Sequence, residues 1–167
     1  YKVIGPVGEY LVCAELGRRG LIATSFTGNV PEFDLIVADD TLRTIPIQVK
    51  TASTGNWPSS ATKWINIHID HENKQQVDSG DAEITNPDLI YVCVALAGPR
   101  IWDRDRYFVL RKSELQVICA TNYRRWMDGL DWRRPRNYKS VDNRYNVEDL
   151  AQYENNWELV HRRLEAL

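Results

Sequence analysis

Several common kinds of protein are excluded by what this sequence does not contain. Cysteine is scarce: Cys13, Cys93 and Cys119 are odd in number and far apart. No CxxC pair exists, which excludes a zinc ribbon and makes a disulfide framework a poor reading. Their apolar settings, such as YVCVAL, predict buried thiols in a reducing compartment. No apolar run approaches the roughly 20 residues that a membrane span needs. The opening YKVIGPVGEY has neither the basic nor the apolar stretch of a signal peptide, so a cytoplasmic location is expected. That opening also lacks an initiating Met, which leaves room for an upstream domain. There is no G-x-x-x-x-G-K-[ST] phosphate loop, and no Ser-His-Asp or Cys-His arrangement can be read. His68, His71 and His161 are too scattered to suggest zinc.

What is present suits one globular domain. The chain has 167 residues, 43% of them hydrophobic and 26% charged, enough to bury a core without staples. Its net charge of −2 gives no overall basic signature. The distribution is uneven, however: from Arg100 to Lys139 eleven Lys/Arg stand against five Asp/Glu. Such a split is compatible with a basic patch on a weakly acidic body. No repeat, low-complexity tract or linker is visible. The expected organisation is a single domain over 1–167, with a core at about 3–120 and a helical extension at about 121–167.

Apolar spacing predicts a helix over Val7 to Arg19 through Val7, Leu11, Ala14 and Leu16, stopped by Gly20. Leu21 to Ser25 reads as a short strand and Gly28 to Pro31 as a turn. Phe33 to Ala38 is a short apolar run of the buried-strand kind. Asp39-Asp40 then turns the chain into Arg43 to Lys50, where Ile45, Ile47 and Val49 alternate with polar residues. Thr51 to Thr62 reads as a loop, Trp64 to Ile69 as a strand, and His71 to Asn86 as a polar segment helical in its first half. Asp88 to Leu96 and Arg106 to Leu110 are further strands, and Lys112 to Met127 is a helix. Asp128 to Val141 is a Trp- and Arg-rich loop. Asn146 to Leu164 is read as one or two helices, with Tyr153, Trp157, Val160 and Leu164 on a packed face. The order implies an α/β fold with a mixed sheet flanked by helices.

Chemistry concentrates at four positions. Asp34 opens a buried strand, where an ionised carboxylate is costly unless paired or bound to a cation. Gln48 and Lys50 are two apart on the next strand and so leave the same face, with Val49 toward the other. A hairpin of 33–38 with 43–50 brings Asp34 to Gln48 and Lys50. Glu9 on the first helix adds a second acid. Oxygen donors of this kind suit Mg²⁺ or Mn²⁺, which polarises phosphoryl oxygens and generates hydroxide near neutral pH. A neighbouring lysine can orient the attacking water and offset phosphate charge.

The segments GEYLVCAELGRRGL, FDLIV and IQVKTAS, spanning roughly Val3 to Ala52, resemble the PD-(D/E)XK nuclease superfamily of restriction-endonuclease-like fold. Within it they are similar to the Q-x-K group, which includes intron-encoded homing endonucleases, and to archaeal Holliday-junction resolvases. The resemblance implies that Glu9, Asp34 and Gln48, with the Val49 carbonyl, hold Mg²⁺ or Mn²⁺ and that Lys50 is the catalytic lysine. The implied activity is endonucleolytic hydrolysis of phosphodiester bonds, with double-stranded DNA as the expected substrate. Homo-oligomers are also implied, because cutting two strands needs two sites. Two departures stand out: Phe33 occupies a position where many members carry Pro, and Gln48 removes one negative charge from the metal site. Two other readings keep the fold: a module that binds nucleic acid or protein without cutting, and a nuclease toxin or defence effector acting on RNA or DNA.

The interleaved cations and aromatics after Arg124 allow two readings. Arg124, Arg125, Arg133, Arg134, Arg136 and Lys139 can contact phosphates while the aromatics stack on bases. Alternatively, Trp126 and Trp132 pack the last helices while the arginines pair with the acidic remainder. Gln76, in the run Lys74-Gln75-Gln76, is a candidate for lining the cleft.

Overall fold

The computed structural model describes residues 3–26, 28, 30–98 and 103–167. Helix α1 spans Ile4–Arg18 and starts earlier than expected, because Pro6 lies in the first turn, where no intrahelical N–H is needed. Its buried stripe is Gly8, Val12 and Leu16, whereas Val7 and Ala14 of the expected stripe face solvent. The helix ends in a Schellman motif: Leu21 N–H bonds the Leu16 carbonyl and Gly20 N–H the Gly17 carbonyl. Gly20 takes the left-handed conformation this closure needs, at φ 81°.

Strands β1 (Ile22–Ser25), β2 (Leu35–Ala38) and β3 (Thr44–Ala52) follow. Later in the chain come β7 (Ile90–Ala95) and β8 (Arg106–Arg111), and the five form one sheet in the order β1-β2-β3-β7-β8. Only the β3–β7 pairing is parallel, so the sheet is mixed. The β2–β3 hairpin sets Leu35 against Ile47, as period-two alternation requires. Pro46 precedes the start of the β7 ladder at Ile47, so its missing N–H costs that ladder nothing.

Alternation gives the sheet two buried faces. Ile45, Ile47, Val49, Val92, Val94 and Val109 point toward α1 and toward helix α3 (Glu158–Glu165), which contributes Leu159, Val160 and Leu164. Trp157 joins that core beneath the Arg19 guanidinium, 4.7 Å from the ring centroid. Cys93, Phe108 and Leu110 point the other way, toward helix α2 (Lys112–Asp128) and its Leu115, Cys119, Tyr123 and Met127. Burial pushes the Cys93 and Cys119 thiols up to about 12, as expected of core cysteines, while Cys13 is half-buried.

Between β3 and β7 the chain makes a β-rich excursion rather than a loop and a helix. Asn56–Ser60 forms β4, a 3₁₀ turn follows at Ala61–Lys63, and Ile65–Asp70 (β5) pairs with Gln75–Asp81 (β6). The expected helix after His71 is therefore a hairpin. The Asp70 carboxylate accepts the Asn73 N–H and Lys74 turns the chain at φ 51°, which returns β6 antiparallel. The C-terminal region adds a strand as well as a helix: β9 (Asp142–Asn146) pairs with β4, so Trp57 stacks on Tyr145. Beyond it lie a 3₁₀ turn at Ala151–Tyr153 and then α3. The turn expected at 28–31 includes Asn29, and the basic segment begins at Arg100; both residues lie outside those described.

Candidate metal and phosphodiester site

The candidate residues meet at a notch in the sheet. β2 begins at Leu35 opposite Ile47, while β3 runs on to Ala52 with only β7 beside it. Asp34 stands at the mouth of this notch, its N–H bonded to the Ile47 carbonyl at 2.9 Å. Its Oδ2 accepts the Val49 N–H at 2.8 Å and so replaces the strand neighbour that Val49 lacks. The Gln48 amide nitrogen also donates to Asp34 Oδ2, and it reaches the Val49 carbonyl at 3.4 Å. Asp34, Gln48 and the Val49 backbone are thus in direct contact, as the hairpin register predicts.

Glu9 comes from α1, and Gly8 makes that approach possible. A Cβ on Gly8 would run into the Thr51 hydroxyl and lie 2.9 Å from Thr51 Cβ, so only glycine lets α1 sit this close to β3. The Glu9 carboxyl is held above its usual range, first by burial and then by the negative charge of Asp34. Two acids therefore repel each other across the notch, a charge pattern that a divalent cation relieves. Lys50 follows on β3; its carbonyl accepts the Trp57 indole N–H at 3.0 Å, which anchors the strand where its lysine projects.

The donors fit a hard cation in kind: two carboxylates, a side-chain amide and a main-chain carbonyl all offer oxygen. Among the described residues no three His, Cys, Asp or Glu side chains gather into a metal cluster.

Two residues near the notch escape a reading of the sequence. Tyr91 lies opposite Gln48 in the β3–β7 ladder, and Lys63, on the 3₁₀ turn, donates from Nζ to Tyr91 Oη at 3.3 Å. The Tyr91 phenol is pushed up to about 12, first by burial and then by anionic neighbours including Glu32 and Asp34, so it stays protonated at neutral pH. No local motif marks either residue, because a parallel crossover brings them in.

The remaining candidates are dispersed. Gln76 lies in β6, not in a helix, and is 1% exposed. Its amide donates to the Tyr138 and Ser140 carbonyls at 2.8 Å each and accepts the Tyr123 hydroxyl at 2.6 Å, so it pins the Arg-rich loop and does not line the cleft. Arg124 is bound to Asp78 and Asp81, and Arg133 to Asp131. Arg134 donates to the Ser140 and Asp142 carbonyls and lies over Trp126, 4.7 Å from its centroid. Arg125, Arg136 and Lys139 are exposed. Arg125 lines a groove of about 680 Å³ with Trp126, Arg134 and Arg144, which belongs to α2 and β9. Of the six candidate cations, Arg124 is paired with acids outside the basic segment and Arg133 with one inside it.

No protein-family model matches the sequence, and no curated protein matches it. Among solved structures, a bacterial homing endonuclease superposes with a TM-score of 0.55 over 99% of this chain and 95% of that chain, at 13% identity. The chain shares the fold of that protein. At that identity the likeness is one of architecture alone. No helix among the described residues is long and apolar enough to cross a membrane.

Proposed function

We propose that the chain is a divalent-metal-dependent endonuclease of the PD-(D/E)XK kind, hydrolysing phosphodiester bonds in double-stranded DNA. The observation that carries this reading is the contact of Asp34 with Gln48 and the Val49 main chain at a strand notch, with Lys50 two residues on along β3 and Glu9 within range of the Asp34 charge. Glu9, Asp34, Gln48 and the Val49 carbonyl are the ligands for Mg²⁺ or Mn²⁺. When bound, such an ion polarises phosphoryl oxygens and lowers the pKa of its water.

The chain's own groups do the rest. Asp34 ties the Val49 main chain to the notch and so fixes where its carbonyl points. The Lys50 ammonium lies against the reacting phosphate, offsets its charge and orients the attacking water. The Trp57–Lys50 bond fixes the stretch of main chain from which that side chain projects. A second copy of the chain supplies the second site that a double-strand cut requires. The fold shared with a bacterial homing endonuclease supports nucleic acid as the substrate.

One observation favours a second reading, a nuclease fold that binds without cutting. The Gln48 amide nitrogen, not its oxygen, faces Asp34, so the site satisfies part of its own charge. Cleavage of supercoiled plasmid in Mg²⁺ or Mn²⁺ separates the two. Metal-dependent nicking, abolished by EDTA and reduced at least about a hundredfold in Lys50→Ala, is the expected outcome. Intact binding with no cleavage of plasmid, four-way junction or RNA would establish the binding module instead.

A further inference from the structure

We infer that Lys63, held by Tyr91, is a second phosphate-binding cation of this site; the inference rests on the nuclease reading above and extends its substrate contacts. Lys63 sits on the 3₁₀ turn Ala61–Lys63, outside every segment that carries the sequence motif. Its ammonium donates to Tyr91 Oη at 3.3 Å and lies 4.8 Å from the Trp64 ring centroid and 5.5 Å from that of Tyr91. Trp64 is itself fixed, its indole N–H donating to Ser59 Oγ at 2.9 Å. A flexible side chain is thereby held in one place, which lowers the entropy lost when it takes a ligand.

Its placement decides what that ligand is. Tyr91 is the direct cross-strand partner of Gln48, and Cys93, two residues on, partners Lys50. Gln48, Lys50 and Tyr91 therefore share one face of the sheet, and Lys63 closes over it. The Lys50 charge is felt at Lys63, where burial and that charge together hold the ammonium below its usual range. Two ammonium groups near each other, one packed on aromatic rings, repel unless an anion lies between them. Lys112 also acts on Lys63 but is committed elsewhere, its Nζ bonded to the Thr85 carbonyl at 2.7 Å. Glu32, the nearby acid, is occupied by Thr85 at 2.9 Å and Asn86 at 2.5 Å. Glu32 acts on Lys63 only through space, and among the described residues no carboxylate makes an ion pair with the Lys63 ammonium. A phosphodiester oxygen of the cleaved strand, on the side of the phosphate away from the carboxylates, completes the arrangement. Tyr91 is a positioning residue in this account, and Lys63 is the group that touches the substrate.

The test uses wild type, Lys63→Ala, Lys63→Arg and Tyr91→Phe, with two readouts. Binding of a fluorescein-labelled duplex is measured by anisotropy in Ca²⁺ across a salt series, and plasmid cleavage is measured in Mg²⁺. Lys63→Ala is expected to weaken binding about tenfold and to reduce the slope of log affinity against log salt by about one. Cleavage falls with it. Lys63→Arg restores the salt slope because it keeps the charge, and Tyr91→Phe lowers affinity with the slope unchanged. If wild type cleaves and Lys63→Ala matches it in slope and rate, Lys63 touches no phosphate and the nuclease reading survives. If wild type binds without cleaving and Lys63→Ala loses the slope, the phosphate contact stands and the nuclease reading falls. If wild type neither binds nor cleaves, both fall.

Discussion

At the scale of single residues, the site depends on an atom that is missing. Gly8 has no side chain, and that gap is what lets α1 close onto β3 at Thr51 and bring Glu9 within range of the Asp34 charge. Gly8→Ala should cost about 1–3 kcal/mol through overpacking, read as a fall in the urea midpoint. Thr51→Ala in the same chain removes the hydroxyl that the new methyl meets and should recover part of the loss, since contacting residues couple. Equal losses in the single and double variants would mean that the Thr51 hydroxyl does not set the cost and that this contact does not fix Glu9.

The same scale shows why the core of the site was legible from sequence. Asp34, Gln48 and Lys50 are joined by one local hairpin, and a period of two suffices to put them on one face. Lys63 and Tyr91 were not legible, because their place depends on the parallel β3–β7 pairing and on a turn reached through β4. Gln76 was misread for the opposite reason. A polar residue beside Lys74 looks like surface, yet it points inward to satisfy two carbonyls and a tyrosine.

At the scale of elements, two features decide how the β-rich excursion is held. β4 is bound to β9 from the far end of the chain, and α2 is bound to β6 by Arg124. β9, with the sequence DNRYN, buries only Tyr145, so nothing in its own pattern announces a strand. The ladder with β4 and the stack on Trp57 impose it. The excursion also explains the missed helix after His71, since its polar residues sit on a hairpin whose inward position is taken by Gln76. The Arg124 clamp yields a pH signature. The bond from Arg124 holds the Asp78 carboxyl below its usual range. A carboxyl whose folded pKa is depressed adds stability above its unfolded value, near 3.9, and loses it as pH falls through the folded value. Arg124→Ala should therefore cost up to about 1 kcal/mol at pH 7. The cost should shrink steadily as pH falls below the ordinary carboxylate range. Urea melts of wild type and variant at descending pH give the measurement; a pH-independent difference would show that the guanidinium acts through packing alone.

At the scale of the whole molecule, a mixed sheet carries separate cores on its two faces, and the notch lies at the edge where β2 begins late. The face toward α1 and α3 is apolar apart from the Thr51 hydroxyl, while the opposite face gives up apolar packing at Gln48 and Lys50. That concession has a stability cost that a functional site explains. Mixed α/β architecture follows from the order of apolar runs and the approach of Asp34 to Gln48 from the hairpin, whereas the notch arises because β2 starts at Leu35 and not at Phe33. The central claim is that this notch binds a divalent ion, and calorimetric titration with Mn²⁺ of wild type and Asp34→Asn tests it most directly. Asn keeps an oxygen for the Val49 N–H but removes the charge, so the fold should persist while Mn²⁺ affinity drops at least about tenfold. A wild type that takes up no Mn²⁺, or an Asp34→Asn variant that binds it equally well, would contradict the account.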